Sequence, residues 1–310
     1  MALEKKYYNY IRICVVIFYL SCGSSTYSQE PTRDVRKKTS IGICKYKIFY
    51  TCRFSKDTIK KEPLYDKHVL KIGDTLSHYS SMLADKADSV WYNLRETFIQ
   101  PNKNGADGIN PYEKAGLGQN ECPNYEDVFM GYPYEGISTV MTRIITKEFI
   151  YEEPVPKFKW KILSDTITIS GYKCKKATTS FRGRDYEVWF TPFIPIRQGP
   201  WKFNGLPGLI LKAADTKGYF EWIATGIEKS NNEGIYIYRF DKVNMQKTTR
   251  KDVLNLLNKQ WKDPIGLMFY VNQEILGTGY KDEKTGKLVL VYRGDTYNYQ
   301  KPYIPQLELE

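Results

Sequence analysis

The feature that most constrains the fold of this 310-residue chain is the alternation of apolar and polar residues in many short segments. In residues 41–53 every second side chain from Cys44 to Cys52 is apolar, whereas Lys45 and Lys47 occupy the opposite face. A period of two indicates a strand with one buried face. The 26 tyrosines, within an aromatic content of 15%, also favour strands over helices.

About ten segments separated by turn sequences have this strand-like character. The predicted strands span 41–53, 68–72, 157–162, 165–169, 173–182, 184–191, 208–214, 218–227, 234–241, 268–280 and 287–293. A tight turn at Arg182-Gly183-Arg184 and a turn at 215–218 predict two β-hairpins.

Two segments have helical spacing instead. Residues 82–98 carry apolar side chains every three or four positions, which predicts an amphipathic helix. Thr249 and Asp252 form a capping box at the start of a second helix, and Pro264 follows its expected end. Many strands with two helices predict a β-rich α+β fold, in which a strongly curved antiparallel sheet surrounds a helix or an apolar cavity.

Residues 1–28 have the pattern of a secretory signal peptide. Basic residues accompany a mostly apolar stretch at 11–20, which is too short to span a bilayer comfortably. Thr26 and Ser28 are the small residues of a cleavage site, so that residues 29–310 are expected to form the mature chain as one β-rich domain.

The alternative is a lipoprotein anchored through Cys22, although Tyr19 stands where a lipobox normally has leucine. No later apolar run is long enough to span a membrane, so no transmembrane span is expected in the mature chain. Removing 1–28 lowers the formal charge from +11 to +9. Because an exported chain does not meet nucleic acid, we expect this charge to serve solubility or an anionic lipid surface.

Residues 100–135 interrupt the pattern with a long stretch that is rich in Gly, Pro and Asn. A loop of this length inside a domain is typical of a lid, a binding loop or an insert. Its several aromatic residues make it a candidate binding element.

Four cysteines follow the signal segment: Cys44, Cys52, Cys122 and Cys174. An extended strand separates Cys44 from Cys52 by about 26 Å, whereas a disulfide needs Cα atoms within about 7 Å. Each of these two therefore pairs with Cys122 or Cys174, or all four are free thiols.

The sequence has no short motif of a catalytic or metal site. His68 and His78 stand in no metal-binding spacing, and the glutamate pairs at 152–153 and 308–310 fall at positions that we expect to be solvated. Cys174 has lysine neighbours, but alternation directs most of them to the opposite face. The sequence therefore predicts a chain without enzymatic activity, cofactor or metal.

One hexapeptide is specific enough to indicate a family. It reads GLPGLI and consists of Gly205, Leu206, Pro207, Gly208, Leu209 and Ile210. Around it stand further characteristic residues, namely Trp189, Phe190, Pro195, Trp201, Arg182 and Arg184. With this context the chain resembles the GLPGLI family of exported proteins over residues 65–215.

The resemblance implies an envelope protein of a Gram-negative bacterium, in the periplasm or at the outer membrane, with no assigned activity. The order of its motifs is similar to that of the lipoprotein-carrier fold, a half barrel with an apolar groove. The first functional hypothesis is thus a non-enzymatic protein that binds a lipid, a lipoprotein or another apolar ligand. The alternative is a structural or accessory protein that contacts an outer-membrane transport or assembly system.

The hexapeptide also has a physical interpretation. Pro207 and Gly208 are typical of the central positions of a type II turn, in which Gly208 has positive φ. Gly205 is expected to allow a close approach of the chain, and Leu209 to begin a buried strand. Arg182 and Arg184 are interpreted as an exposed hairpin tip or as ligands of an anionic head group.

Overall fold

The computed structural model describes residues 36–55, 63–99, 115–118, 120–144, 147–240, 245–262, 279–281, 288–292, 295–297 and 308. These residues form seventeen strands and two helices. The strands are β1 Arg36–Ile43, β2 Tyr46–Ser55, β3 Pro63–Ile72, β4 Ser77–Ser81, β5 Glu126–Met130, β6 Ile137–Ile144, β7 Lys147–Pro154, β8 Lys161–Ile169, β9 Tyr172–Phe181, β10 Arg184–Thr191, β11 Leu209–Asp215, β12 Phe220–Lys229, β13 Gly234–Phe240, β14 Gln246–Lys247, β15 Gly279–Lys281, β16 Leu288–Tyr292 and β17 Asp295–Tyr297. The helices are α1 Met82–Ile99 and α2 Arg250–Lys262.

Twelve strands form one sheet in the order β14-β7-β6-β5-β4-β3-β2-β12-β11-β10-β9-β8. Neighbouring strands in this sheet are antiparallel, except for the short parallel pair β14–β7. Strands β14 and β8 are its two edges, so the sheet is not closed into a barrel. Strands β1 and β13 form a separate antiparallel pair, and β15, β16 and β17 form a small third sheet.

The large sheet curls strongly. Strands β7 and β9 lie nine positions apart in the sheet order, which in a flat sheet is roughly 43 Å. Yet Arg182, in the turn after β9, places its guanidinium nitrogen 2.5 Å from a carboxylate oxygen of Glu153 on β7. The predicted curvature is therefore confirmed.

The inside of the curl is occupied by the connection between β10 and β11. In this core segment, defined as residues 199–206, Trp201, Lys202, Phe203 and Leu206 are each at most 1% exposed. A Cβ atom at Gly199 would come 2.8 Å from Cβ of Ile210, so the entry of the segment requires glycine. The aromatic rings of the core segment pack against Phe181 at the end of β9, Tyr186 on β10 and Trp222 on β12.

Most predicted elements are confirmed, including both helices and the two hairpins. Residues Arg182 and Gly183 have φ of 47° and 76°, as a two-residue hairpin turn requires. In α2 the backbone N–H of Asp252 donates to the Thr249 hydroxyl at 3.2 Å, and that hydroxyl donates to the Asp252 carboxylate at 2.6 Å.

Three predictions of element bounds are wrong. The predicted strand 41–53 is divided at Cys44 and Lys45 into β1 and β2. The stretch 100–135 contains β5, which lies between β4 and β6 in the sheet and buries Phe129 and Met130. Residues 157–160 are not a strand, because Trp160 turns toward the core segment and donates its indole N–H to the carbonyl of Asn204 at 2.8 Å.

The four cysteines are free thiols in this structure. Cys52 pairs with Asp66 across β2 and β3, while Cys122 bonds to the backbone of Tyr65 from the other side of β3. This register puts Cys52 and Cys122 about two strand spacings, roughly 9.6 Å, apart. That is too far for a disulfide.

The predicted signal segment 1–28 and most of the predicted strand 268–280 lie outside the described residues. In the part of the chain that the structure describes, no helix is long and apolar enough to cross a membrane.

Candidate functional site

The most unusual feature of the interior is a fully buried lysine. Lys202 lies in the middle of the core segment, and its side chain is only 1% exposed. Its ammonium group lies 2.8 Å from a carboxylate oxygen of Glu153, 2.6 Å from one of Glu308 and 3.0 Å from the hydroxyl of Tyr151. A buried ammonium group needs such partners because it has lost its hydration.

Two arginines complete this ionic cluster. Arg182 donates to Glu308 at 2.6 Å and to Glu153 at 2.5 Å, and Arg250, the first residue of α2, donates to Glu308 at 2.9 Å. The cluster therefore joins β7, the turn after β9, the core segment, α2 and Glu308.

The electrostatics of the cluster favour its ionised form. Burial alone would lower the pKa of Lys202. The raising effect of Tyr151, Glu308, Glu126 and Glu153 is larger, so that the pKa of Lys202 lies above its usual value. Burial raises the pKa of Glu308, and the opposing effect of Lys202 and Arg182 leaves it below the usual value. The ammonium and the Glu308 carboxylate thus stay charged near neutral pH.

Trp201 connects the ionic cluster to the aromatic core. Its indole N–H donates to Glu126 at 2.9 Å, and its ring stacks on Trp222 with centroids 6.4 Å apart. Burial raises the pKa of Glu126. Trp201 has φ of 55°, a conformation that costs a bulky residue about 1–3 kcal/mol and persists only where the surroundings impose it.

The hexapeptide is buried except for Pro207 and, in part, Gly205, but its turn differs from the prediction. The N–H of Gly208 bonds to the carbonyl of Leu206, and the N–H of Leu209 bonds to Ile194. This is a γ-turn centred on Pro207 rather than a type II turn. Gly208 has the expected positive φ, at 158°, and Gly205 also has a positive φ, at 94°. The close approach that was expected at Gly205 occurs at Gly208.

Replacing Gly208 with alanine is expected to destabilise the protein strongly. The new Cβ would lie 2.1 Å from the backbone oxygen of Thr191, so the two chain segments must move apart, which typically costs about 1–3 kcal/mol or more. Chemical denaturation measures this loss. Gly218→Ala is the matched control, because a Cβ there meets nothing within 4 Å despite its positive φ; an equal loss in both variants would contradict the assigned role of Gly208.

Other predicted site residues do not converge on one open site. Phe190, Leu209 and Ile210 are core residues, each at most 1% exposed, whereas Pro195 and Pro207 are exposed. Trp189 is half-buried, with the ammonium of Lys176 5.8 Å from its ring centroid. Trp201 and Trp222 are core aromatics, each 1% exposed.

The interpretation of Arg182 and Arg184 is corrected. Arg184 is 5% exposed and lies 3.1 Å from Asp215, and Arg182 is paired in the ionic cluster. Neither forms an exposed hairpin tip. Arg184 is paired with Asp215 on the neighbouring strand β11, and the curl of the sheet brings Glu153 over the turn at Arg182. Glu153 and Glu308, expected to be solvated, are buried for the same reason.

A second buried network surrounds His68, a residue expected to have an ordinary role. Its Nε2 lies 2.8 Å from Asp66, its Nδ1 contacts the hydroxyl of Tyr79, and Trp222 donates to that hydroxyl at 3.0 Å. The hydroxyl of Ser81 donates to Asp66 at 2.8 Å. Because Asp66, His68 and Tyr79 are at most 3% exposed, this network fixes strand positions and has no access to a substrate.

A small, half-open pocket of about 60 Å³ lies beside Arg143. Arg143 is held there by Asp88 at 2.8 Å and by Glu148 at 3.1 Å. The pocket is large enough to hold water.

A strongly exposed aromatic side chain lies on the loop that leads into the core segment. Phe193 is 70% exposed and lies between Pro192 and Pro195 in the sequence. Strand β11 holds the backbone of this loop. The N–H of Leu209 donates to the Ile194 carbonyl at 3.1 Å, and the N–H of Ile210 donates to the Gln198 carbonyl at 3.0 Å. The molecule thus presents Phe193 to solvent on a firmly attached backbone.

Sequence reasoning missed Lys202, Glu153 and Glu308 as a unit. The partners of Lys202 lie up to 106 positions away, so no local spacing brings them together. One signal was present, because Lys202 stands between Trp201 and Phe203 in an otherwise apolar stretch. A lysine in such a place is buried only if a carboxylate meets it.

Comparison with known proteins gives one family. A family model for the N-terminal domain of an N-glycanase matches residues 139–254, which run from β6 into α2 and include the core segment. Two structures of PNGF-II, in the P21 and C2 space groups, are 16% identical over 70% of this chain, with a TM-score of 0.43. The chain covers 34% and 33% of those two structures, about a third of their length. No curated protein matches this chain.

The family match corrects the prediction that this chain has no enzymatic activity. The model that matches describes a domain of an N-glycanase, which is an enzyme. The prediction rested on the absence of short catalytic motifs, and residues that converge from distant elements escape such a search. These comparisons do not test the resemblance to the GLPGLI proteins, which stays a prediction. Residues 139–254 of this chain are similar to the N-terminal domain of an N-glycanase.

Proposed function

We propose that this chain recognises N-glycosylated protein through its outer surface. The observation that carries the proposal is the match of residues 139–254 to the N-terminal domain of an N-glycanase. The matched residues include the ionic cluster residues Glu153, Arg182 and Lys202. They also include the loop that presents Phe193.

The packing of the sheet supports contact on the outside. The core segment fills the inside of the curl with Trp201, Phe203 and Leu206, each at most 1% exposed. A ligand in that place would have to displace these side chains, and burying them contributes roughly 1.5–3 kcal/mol each. Phe193 needs no displacement, because its ring is already exposed. An aromatic face offers an apolar surface to the C–H groups of a sugar ring and to protein side chains.

The test is binding to a glycoprotein before and after enzymatic removal of its N-glycans. Biolayer interferometry with the immobilised glycoprotein should give a Kd at least about tenfold lower for the glycosylated form, a difference of roughly 1.4 kcal/mol. Equal binding to both forms would refute glycan recognition. Mass spectrometry of the same samples reports glycan release, which would assign hydrolysis to this chain as well.

Phe193→Ala is expected to weaken this binding about tenfold, since exposed aromatic anchors often contribute more than 1 kcal/mol to an interface. Tyr134→Ala is the matched control, because Tyr134 is 63% exposed but lies outside the matched residues. Its substitution should leave the Kd within about twofold. Comparable losses in the two variants would remove Phe193 from the proposed surface.

The earlier hypotheses concern different partners. A lipid or lipoprotein ligand in the groove requires the core segment to leave the interior, and an outer-membrane partner would use the outer surface as a glycoprotein does. Export through residues 1–28 is compatible with either partner. Native mass spectrometry of the protein from its own source tests the first hypothesis by a bound apolar adduct and reports whether the chain begins at Gln29.

A further inference from the structure

The side chain of Glu308 is bound as a ligand would be. Both of its carboxylate oxygens are engaged: Lys202 and Arg182 each donate to one at 2.6 Å, and Arg250 donates to the other at 2.9 Å. The Glu308 side chain is only 6% exposed. Charge-assisted hydrogen bonds from several cations to one carboxylate are among the strongest polar contacts in proteins.

The three cations are positioned by parts of the fold that do not include Glu308. Lys202 belongs to the core segment, Arg182 to the hairpin turn between β9 and β10, and Arg250 to the start of α2. Glu153 on β7 holds Arg182 at 2.5 Å and Lys202 at 2.8 Å. The cationic side of the site is therefore also held by contacts that do not involve Glu308.

Charge balance explains why a carboxylate must occupy this position. Three cations face Glu153, and Glu308 supplies the second negative charge of the group. The nearby Glu126 is already engaged by the indole of Trp201 at 2.9 Å. Without Glu308, Lys202 and Arg182 would share the single carboxylate of Glu153 in a largely buried place, which is costly.

The site is in contact with solvent at its two arginines. The side chain of Lys202 is 1% exposed, whereas those of Arg182 and Arg250 are 18% and 28% exposed. The site thus extends from the core segment to the surface.

We propose that Lys202, Arg182 and Arg250 form a carboxylate-binding site, which Glu308 fills from within the same chain and which accepts a free alkyl carboxylate when the Glu308 side chain is removed. The ligand class is a short carboxylate of the size of a glutamate side chain. This inference is independent of glycan recognition, because it concerns a different contact and a different readout.

The test is chemical rescue of Glu308→Ala by acetate, which has the two carbons and two oxygens that the substitution removes. Differential scanning fluorimetry of the full chain should show a melting temperature that rises by about 4 °C and saturates with acetate. Acetamide, which has the same shape without the charge, should produce no such rise. If the variant is unfolded, circular dichroism should show folded protein returning in acetate but not in acetamide.

Glu308→Gln is the matched control, because it removes the charge but keeps the site filled. Its melting temperature and that of the unchanged protein should move by less than about 1 °C under the same conditions. Adding Arg182→Ala to Glu308→Ala should abolish the response to acetate. The proposal is overturned if Glu308→Ala gives no saturable response to acetate, or if Glu308→Gln responds equally.

Discussion

Replacing Lys202 with methionine is expected to lower the free energy of unfolding by about 3–5 kcal/mol. Methionine fills a similar volume, so the loss reports the charge rather than a cavity. Without the ammonium group, Glu153 and Glu308 lose a donor at 2.8 Å and 2.6 Å, and Tyr151 loses its partner at 3.0 Å. Buried carboxylates left with fewer cations carry a desolvation cost that is no longer offset.

Urea unfolding followed by tryptophan fluorescence measures this loss. Lys159→Met is the matched control, since Lys159 is exposed and lies in the same part of the chain; its effect should stay within about 0.5 kcal/mol. A loss below about 1 kcal/mol for Lys202→Met would show that the cluster is not essential to stability.

Replacing Trp201 with alanine is expected to cost about 3–5 kcal/mol, the usual range for truncating a buried tryptophan. Trp201 is 1% exposed and stacks on Trp222, and its indole N–H serves Glu126 at 2.9 Å. The substitution therefore removes packing and also leaves the Glu126 carboxyl without that donor. The same denaturation experiment measures both effects together.

Two further substitutions separate these effects. Trp201→Phe keeps much of the ring and removes the N–H, so it should cost about 1–3 kcal/mol. Trp189→Ala truncates a half-buried tryptophan on β10 and is expected to cost less than Trp201→Ala. If Trp189→Ala proved the more damaging of the two, the core segment would not be the centre of the interior.

Local patterns predicted the parts of the fold that depend on local chemistry. The strands around Ile48 and Tyr50, the hairpin at Arg182 and Gly183, and the capping box at Thr249 all follow from neighbouring residues. Strand β5 was missed because the Gly, Pro and Asn content of 100–135 outweighed the five residues 126–130. Its pairing with β4 and β6, rather than its own composition, makes it a strand.

The candidate site depended on contacts that sequence patterns do not encode. Lys202 meets Glu153 and Glu308 because the sheet curls and the core segment enters it, and each of these is a long-range event. The hexapeptide was found from sequence, and Gly208 has the positive φ predicted for it. The close approach lies at Gly208 rather than at Gly205, because the fold brings Thr191 against Gly208, a contact that turn chemistry alone does not predict.

The central claim is that residues 199–206 are a permanent part of the core, so that recognition takes place outside the curl. Amide hydrogen exchange tests it most directly at Phe203 and Gly205, whose N–H groups bond to the carbonyls of Pro200 and Arg197. If residues 199–206 stay in the core, these amides should exchange as slowly as those in the central strands β11 and β12, through unfolding of the whole domain. Exchange within minutes, while β11 and β12 stay protected, would show that the segment leaves the interior and would contradict the account.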